Sequence, residues 1–148
     1  MKAKFLILFI CLFIFTGCNS NELVCEKKEK KAGYDYEEKY ELLYDKKGEL
    51  LKKVILSTNS KYNELYTEEE IEKIYLEASK NCENHEKENN KIKCSVKRKG
   101  NEVNTQINID VDKISENLFE DILYVTKKEF NNLKNSKKIL ENVGYKCK

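Results

Sequence analysis

Six cysteines and one histidine hold the most reactive chemistry of this 148-residue chain, and their spacing limits what they can do. Zinc sites usually draw thiolates from close pairs such as C-x2-C, and the positions Cys11, Cys18, Cys25, Cys82, Cys94 and Cys147 supply none. The same spacing lacks the C-x-x-C of a redox centre. His85 stands alone, so it cannot provide both a triad base and a metal pair, and no nucleophile elbow, His-Glu-x-x-His, phosphate loop or Gly-x-Gly-x-x-Gly occurs. Asp110 and Asp112 lie two apart and would share one strand face, as the start of a calcium or carboxylate site; the plainer reading is solvent-facing carboxylates near a strand end. Glu68, Glu69 and Glu70 fall at a helix start, where they favour the helix dipole and need no catalytic role. The reading is of a non-enzymatic protein with no catalytic residue, no metal and no cofactor.

The cysteines instead sort by compartment. Lys2 and Lys4 precede eleven residues, Phe5 to Phe15, with no polar side chain beyond the thiol of Cys11. A spanning helix needs about 20 apolar residues, so this run has the length of a signal-peptide core, not of a permanent anchor. It ends in Phe15-Thr16-Gly17-Cys18, which resembles a bacterial lipobox with Phe where Leu is usual. Small residues at 16 and 17 admit a peptidase, and the Cys18 thiol is the nucleophile that takes a diacylglycerol. Residues 1–17 are therefore read as a lipoprotein signal peptide, 18–22 as a lipidated tether and 23–148 as a single domain. Acyl chains contribute about 0.8 kcal/mol per buried methylene, enough for two or three to hold the protein on the extracytoplasmic face of the cell membrane.

Four cysteines then remain, an even number on an oxidising surface, which suggests disulfides. They allow three pairings, of which the element pattern below favours Cys82 with Cys94 and Cys25 with Cys147.

Loss of Lys2 and Lys4 with the leader leaves 26 basic against 26 acidic residues, a formal charge of zero. Such a domain lacks the basic field of a nucleic-acid binder, and nucleic acid is excluded as a partner. The locally basic stretch Lys91 to Lys99 could touch anionic lipid or wall polymer, but reads more simply as a solvated strand face. The expected partners are the membrane, through acylated Cys18, and a protein or cell-wall component, with the protein itself a monomer.

The elements that position these residues follow from hydrophobic periodicity. Leu23 to Lys30 opens the fold as a strand. Tyr36, Tyr40, Leu42 and Tyr44 alternate with Glu37, Lys39 and Glu41, the period of a half-buried strand, and Asp45-Lys46-Lys47-Gly48 turns the chain into a second strand, Leu50 to Ser57. A polar bridge runs from Thr58 to Tyr66. Thr67-Glu68-Glu69-Glu70 is a capping box, followed by Ile71, Ile74, Tyr75, Ala78 and Cys82 on one helical face. Glu83 to Asn90 reads as a polar loop carrying His85. Ile92, Cys94 and Val96 share the inner face of the next strand, which is why Cys82 and Cys94 are expected to meet. Gly100-Asn101 turns into a strand with Val103, Thr105, Ile107 and Ile109 on one side. A short helical turn is expected after Ser115, and Thr126 to Glu129 caps a final helix with Phe130, Leu133, Leu140 and Val143 that ends at Gly144. The order β-β-β-α-β-β-α predicts an α+β fold: an antiparallel sheet of about five strands with two helices on one face. Tyr36, Tyr40 and Tyr44, sharing a strand face, are either core beneath a helix or an aromatic binding surface.

With Cys18 in a lipobox, Cys25 on the first strand, two charged hairpins around a capped helix and the ending Gly144-Tyr145-Lys146-Cys147, the chain resembles the YehR-like family of small bacterial lipoproteins. The resemblance spans nearly the whole mature chain. It implies a lipid-anchored domain without an assigned activity, and it brings no catalytic residues. A small envelope enzyme built on Asp110 and Asp112, and an inhibitor presenting the loop from Glu83 to Asn90, are the alternatives.

Overall fold

A computed structural model describes residues 21–148; the leader and Cys18 lie outside the described residues. Three strands open the fold: β1 (Glu22–Lys31), β2 (Tyr34–Tyr44) and β3 (Leu51–Tyr62). Helix α1 (Glu68–Glu88) leads to a second hairpin, β4 (Ile92–Lys99) and β5 (Glu102–Asp110). A 3-10 turn (Val111–Lys113) then precedes α2 (Glu116–Leu123), α3 (Leu133–Asn142) and the two-residue strand β6 (Lys146–Cys147). The strands form one antiparallel sheet in the order β4-β5-β3-β2-β1-β6. The fold is α+β, as the periodicity predicts.

Alternation along these strands divides the sheet into two unlike faces. Leu23, Leu42, Val54, Ile109 and Ile92 pair across five strands in one transverse row, and none is more than 1% exposed. Phe119, Ile122 and Leu123 of α2, Leu140 of α3 and Phe130 between them cover this face, each such burial worth about 1.5 to 3 kcal/mol. At the other end of the same face Ile71 of α1 packs on Tyr62 and Val103, with Tyr34, Tyr66 and Val96 around them. All three helices thus sit on one side. Among the described residues, the core and both disulfides lie between Leu23 and Cys147.

Several boundaries differ from the expectation. β3 runs on through the predicted bridge to Tyr62, because its polar residues are paired on both sides, with β2 and β5. α1 continues through Glu88, so the predicted loop from Glu83 to Asn90 is mostly helix. No Gly or Pro interrupts the run, and the Glu86 carboxylate accepts from the Cys94 amide at 2.9 Å, tying the last turns to β4. Thr126 and Glu129 exchange their capping hydrogen bonds but close only a turn. α3 starts later, where the Asn132 side chain accepts from the Asn135 amide, and Val143 at its end is 56% exposed. Two elements go beyond the expected order: β6, a sixth strand too short for any period to reveal, and α2, where the helical turn after Ser115 extends into a third helix.

Candidate functional site

The predicted disulfides are both present: Cys25–Cys147 joins β1 to β6 and Cys82–Cys94 joins α1 to β4. The register makes this simple, since Cys147, Cys25, Tyr40, Leu56, Ile107 and Cys94 occupy one transverse row of the helix-covered face. One bridge closes each end of that row.

The tyrosine stripe is core at two of its three positions. Tyr40 is 6% exposed and meets Phe130 and Tyr145 edge-on, with ring centroids 6.2 and 5.5 Å away. Tyr44 donates to Ser136 Oγ at 2.5 Å, and the fully buried Ser136 donates to the Asn132 carbonyl at 3.0 Å. Burial pushes the Tyr44 phenol up to about 12, against the opposing pull of the Ser136 hydrogen bond. Burial raises Tyr40 further still, and also Tyr36, where Glu38 adds to it. An open aromatic platform of Tyr36, Tyr40 and Tyr44 is therefore not what the fold builds; only Tyr36 stays half-buried, with the Lys31 ammonium 5.1 Å over its ring.

The carboxylates considered for chemistry are dispersed. β5 ends at Asp110, and Asp112 belongs to the 3-10 turn, so the two do not share a strand face. Asp110 pairs with Lys113 at 3.0 Å and Asp112 with Lys52 at 2.9 Å, with side chains 42% and 50% exposed. This is not a concave acidic cluster. Glu70 completes the capping box with Thr67, whose amide holds the carboxylate below its ordinary range, while Glu68 and Glu72 bind Arg98 of β4. His85 lies on α1 with Nδ1 shielded from solvent, 4.0 Å from the Glu88 carboxylate. Among the described residues no group of three His, Cys, Asp or Glu is placed to hold a metal, and no helix is long and apolar enough to cross a membrane.

What the fold does create is an open sheet face. With every helix on the other side, the outward rows Lys28-Glu37-Asn59-Asn104-Lys97 and Glu26-Lys39-Ser57-Gln106-Ser95 have no covering element among the described residues. At its centre is a groove of about 340 Å³ floored by Ser57, Asn59, Asn104, Gln106 and Ser95, with Glu37, Lys39 and Lys97 at its borders. The floor is amide and hydroxyl; the charges stand at the rim. Asn59 Oδ1 is shut off from solvent and accepts no hydrogen bond, which is a local cost to the fold. The sequence signal for this surface is present in the polar side of β5, but nothing in it says that the face stays uncovered. In comparison with known proteins, the chain matches no family model, no curated protein and no solved structure.

Proposed function

We propose that this protein is a lipid-anchored, extracytoplasmic binding module of the YehR-like kind, without enzymatic activity, that engages a protein or cell-wall partner on the open face of its sheet. The anchoring half of the reading rests on the leader and the lipobox at Cys18, and the two disulfides suit an oxidising surface. The single observation that carries the binding half is the uncovered face: strands of eight to twelve residues present amides and hydroxyls outward. A floor of this kind suits hydrogen bonding to an extended chain, with the rim charges setting orientation.

Two measurements on cells test the halves separately. Replacing Cys18 with Ser should move the protein from the membrane pellet to the soluble or released fraction; persistence in the pellet would defeat lipid anchoring. A photo-crosslinking residue at Gln106 should give defined adducts, whereas one at the exposed Leu76 on α1 should not. Adducts from Leu76 alone would move the binding surface to the helical side.

A further inference from the structure

We infer that the tether-proximal end of the sheet is a second membrane contact, a lysine groove that lies on the headgroups of anionic lipids. The inference rests on anchoring through Cys18. The register puts Glu22, Leu43, Lys53 and Asp110 in one transverse row, and the Asp110 amide donates to the Lys91 carbonyl at the end of that row. The start of β1 and Lys91, just before β4, therefore share one end of the sheet, about 19 Å apart across four strand spacings. Cys18 precedes Asn21 by three residues, which reach at most about 11 Å. An acylated Cys18 thus keeps this end, and not the opposite one, beside the bilayer.

At this end Lys52, Lys53, Lys91 and Lys93, with Asn108 and Asp110, line a groove of about 420 Å³. Asp110 is taken by Lys113, and Asp112 by Lys52. Lys53, Lys91 and Lys93 are exposed and, among the described residues, make no ion pair. The turn from Asp45 to Leu50 stands beside the tether, since Asn21 donates to the Asp45 carbonyl at 2.5 Å, and it presents Lys46, Lys47 and a 49% exposed Leu50. Ammonium groups held within a Debye length, about 8 to 10 Å, of an anionic leaflet are attracted to it, and an apolar side chain among them enters the interface. The amide groove is centred near Asn59, six residues along β3 from Lys53, so seating this end on lipid would hold that groove about 20 Å above the headgroups and open to the envelope.

The test uses the chain from residue 18 onward with Cys18→Ser, so that no acyl group contributes, and sedimentation with vesicles. Vesicles containing phosphatidylglycerol should retain the protein, raised salt should release it, and phosphatidylcholine vesicles should not bind it. Lys53→Gln, Lys91→Gln and Lys93→Gln together should weaken binding roughly 100-fold, at about fivefold for each lysine. The same charge change at the far end, Lys30→Gln, Lys31→Gln and Lys99→Gln, should cost less than about a tenth of that. Equal loss in both triples, equal binding to neutral vesicles, or capture by polyphosphate without vesicle binding would each overturn the inference. Fatty-acid labelling of Cys18 in cells is read independently: acylated protein that ignores anionic vesicles refutes the groove alone, and unacylated protein that binds them refutes the anchor alone.

Discussion

The two disulfides close loops of very different length, which gives an ordered and measurable pair of stabilities. Cys25 and Cys147 are 122 residues apart, Cys82 and Cys94 only 12. In the chain-entropy treatment a bridge removes conformations from the unfolded chain in proportion to the logarithm of loop length, about 5 kcal/mol for the long loop and about 3 kcal/mol for the short one. The long bridge has a further local role. The C-terminal segment meets β1 over a short span, Val24 to Glu26, with Lys148 exchanging backbone hydrogen bonds with Val24, and loss of the fully buried Cys25 sulfur leaves a gap in the core. Urea unfolding of Cys25→Ala/Cys147→Ala and of Cys82→Ala/Cys94→Ala would read the difference. With a denaturant slope of about 1.5 kcal/mol per molar, the midpoints should fall by about 3 M and about 2 M respectively. Domains of this size hold only about 5 to 15 kcal/mol, so the first variant could be unfolded before urea is added, itself an accepted outcome. A larger loss in the short-loop variant would refute the reasoning, because it would show that native packing around α1, and not the unfolded chain, carries the effect.

Two further outcomes follow from named contacts. Ser136→Ala should cost about 1 to 3 kcal/mol in thermal or urea unfolding by leaving the buried Tyr44 hydroxyl without an acceptor, and Tyr44→Phe in that background should recover part of the loss; a neutral Ser136→Ala would sink this account. Stability should decline on the acid side through Asp45, Glu70 and Glu129, whose carboxylates are held below their ordinary values of 3.8 and 4.5 by the amides of Glu49, Thr67 and Thr126. Because the folded values are lowered, this contribution is present above the ordinary range and lost as pH falls through the folded values. Melting temperature against pH should flatten in Asp45→Asn/Glu70→Gln/Glu129→Gln, and an unchanged acid limb would contradict it.

Local chemistry made much of this fold legible. The capping box at Thr67, the turn at Asp45 to Gly48 and the alternation of β2 and β5 act over a few residues, and each forms where its residues predict. The disulfide pairing was readable for the same reason, since Cys82 and Cys94 fall on inward positions of adjacent elements. Long-range context decided the rest. Ser57 to Lys61 is polar enough to pass for a bridge, yet becomes strand because partners lie on both sides. Glu83 to Glu88 has no apolar stripe and becomes helix because Glu86 and Cys82 tie it to β4. Thr126 and Glu129 show the converse: a complete local signal that tertiary packing stops after one turn. The open face could not be read from periodicity, because alternation says which side chains face outward but not whether another element will cover them.

The brevity of β6 leaves a consequence for copies of this protein brought close together. Among the described residues β6 and the Lys148 that follows it protect only Val24, Cys25 and Glu26, so the backbone from Lys27 to Lys31 is a bare margin able to recruit a neighbour's strand. Four of those five residues are lysines. A second copy approaching in register would bring like charges together and strip their water, so this margin resists polymerisation while a strand rich in acidic residues could still join it.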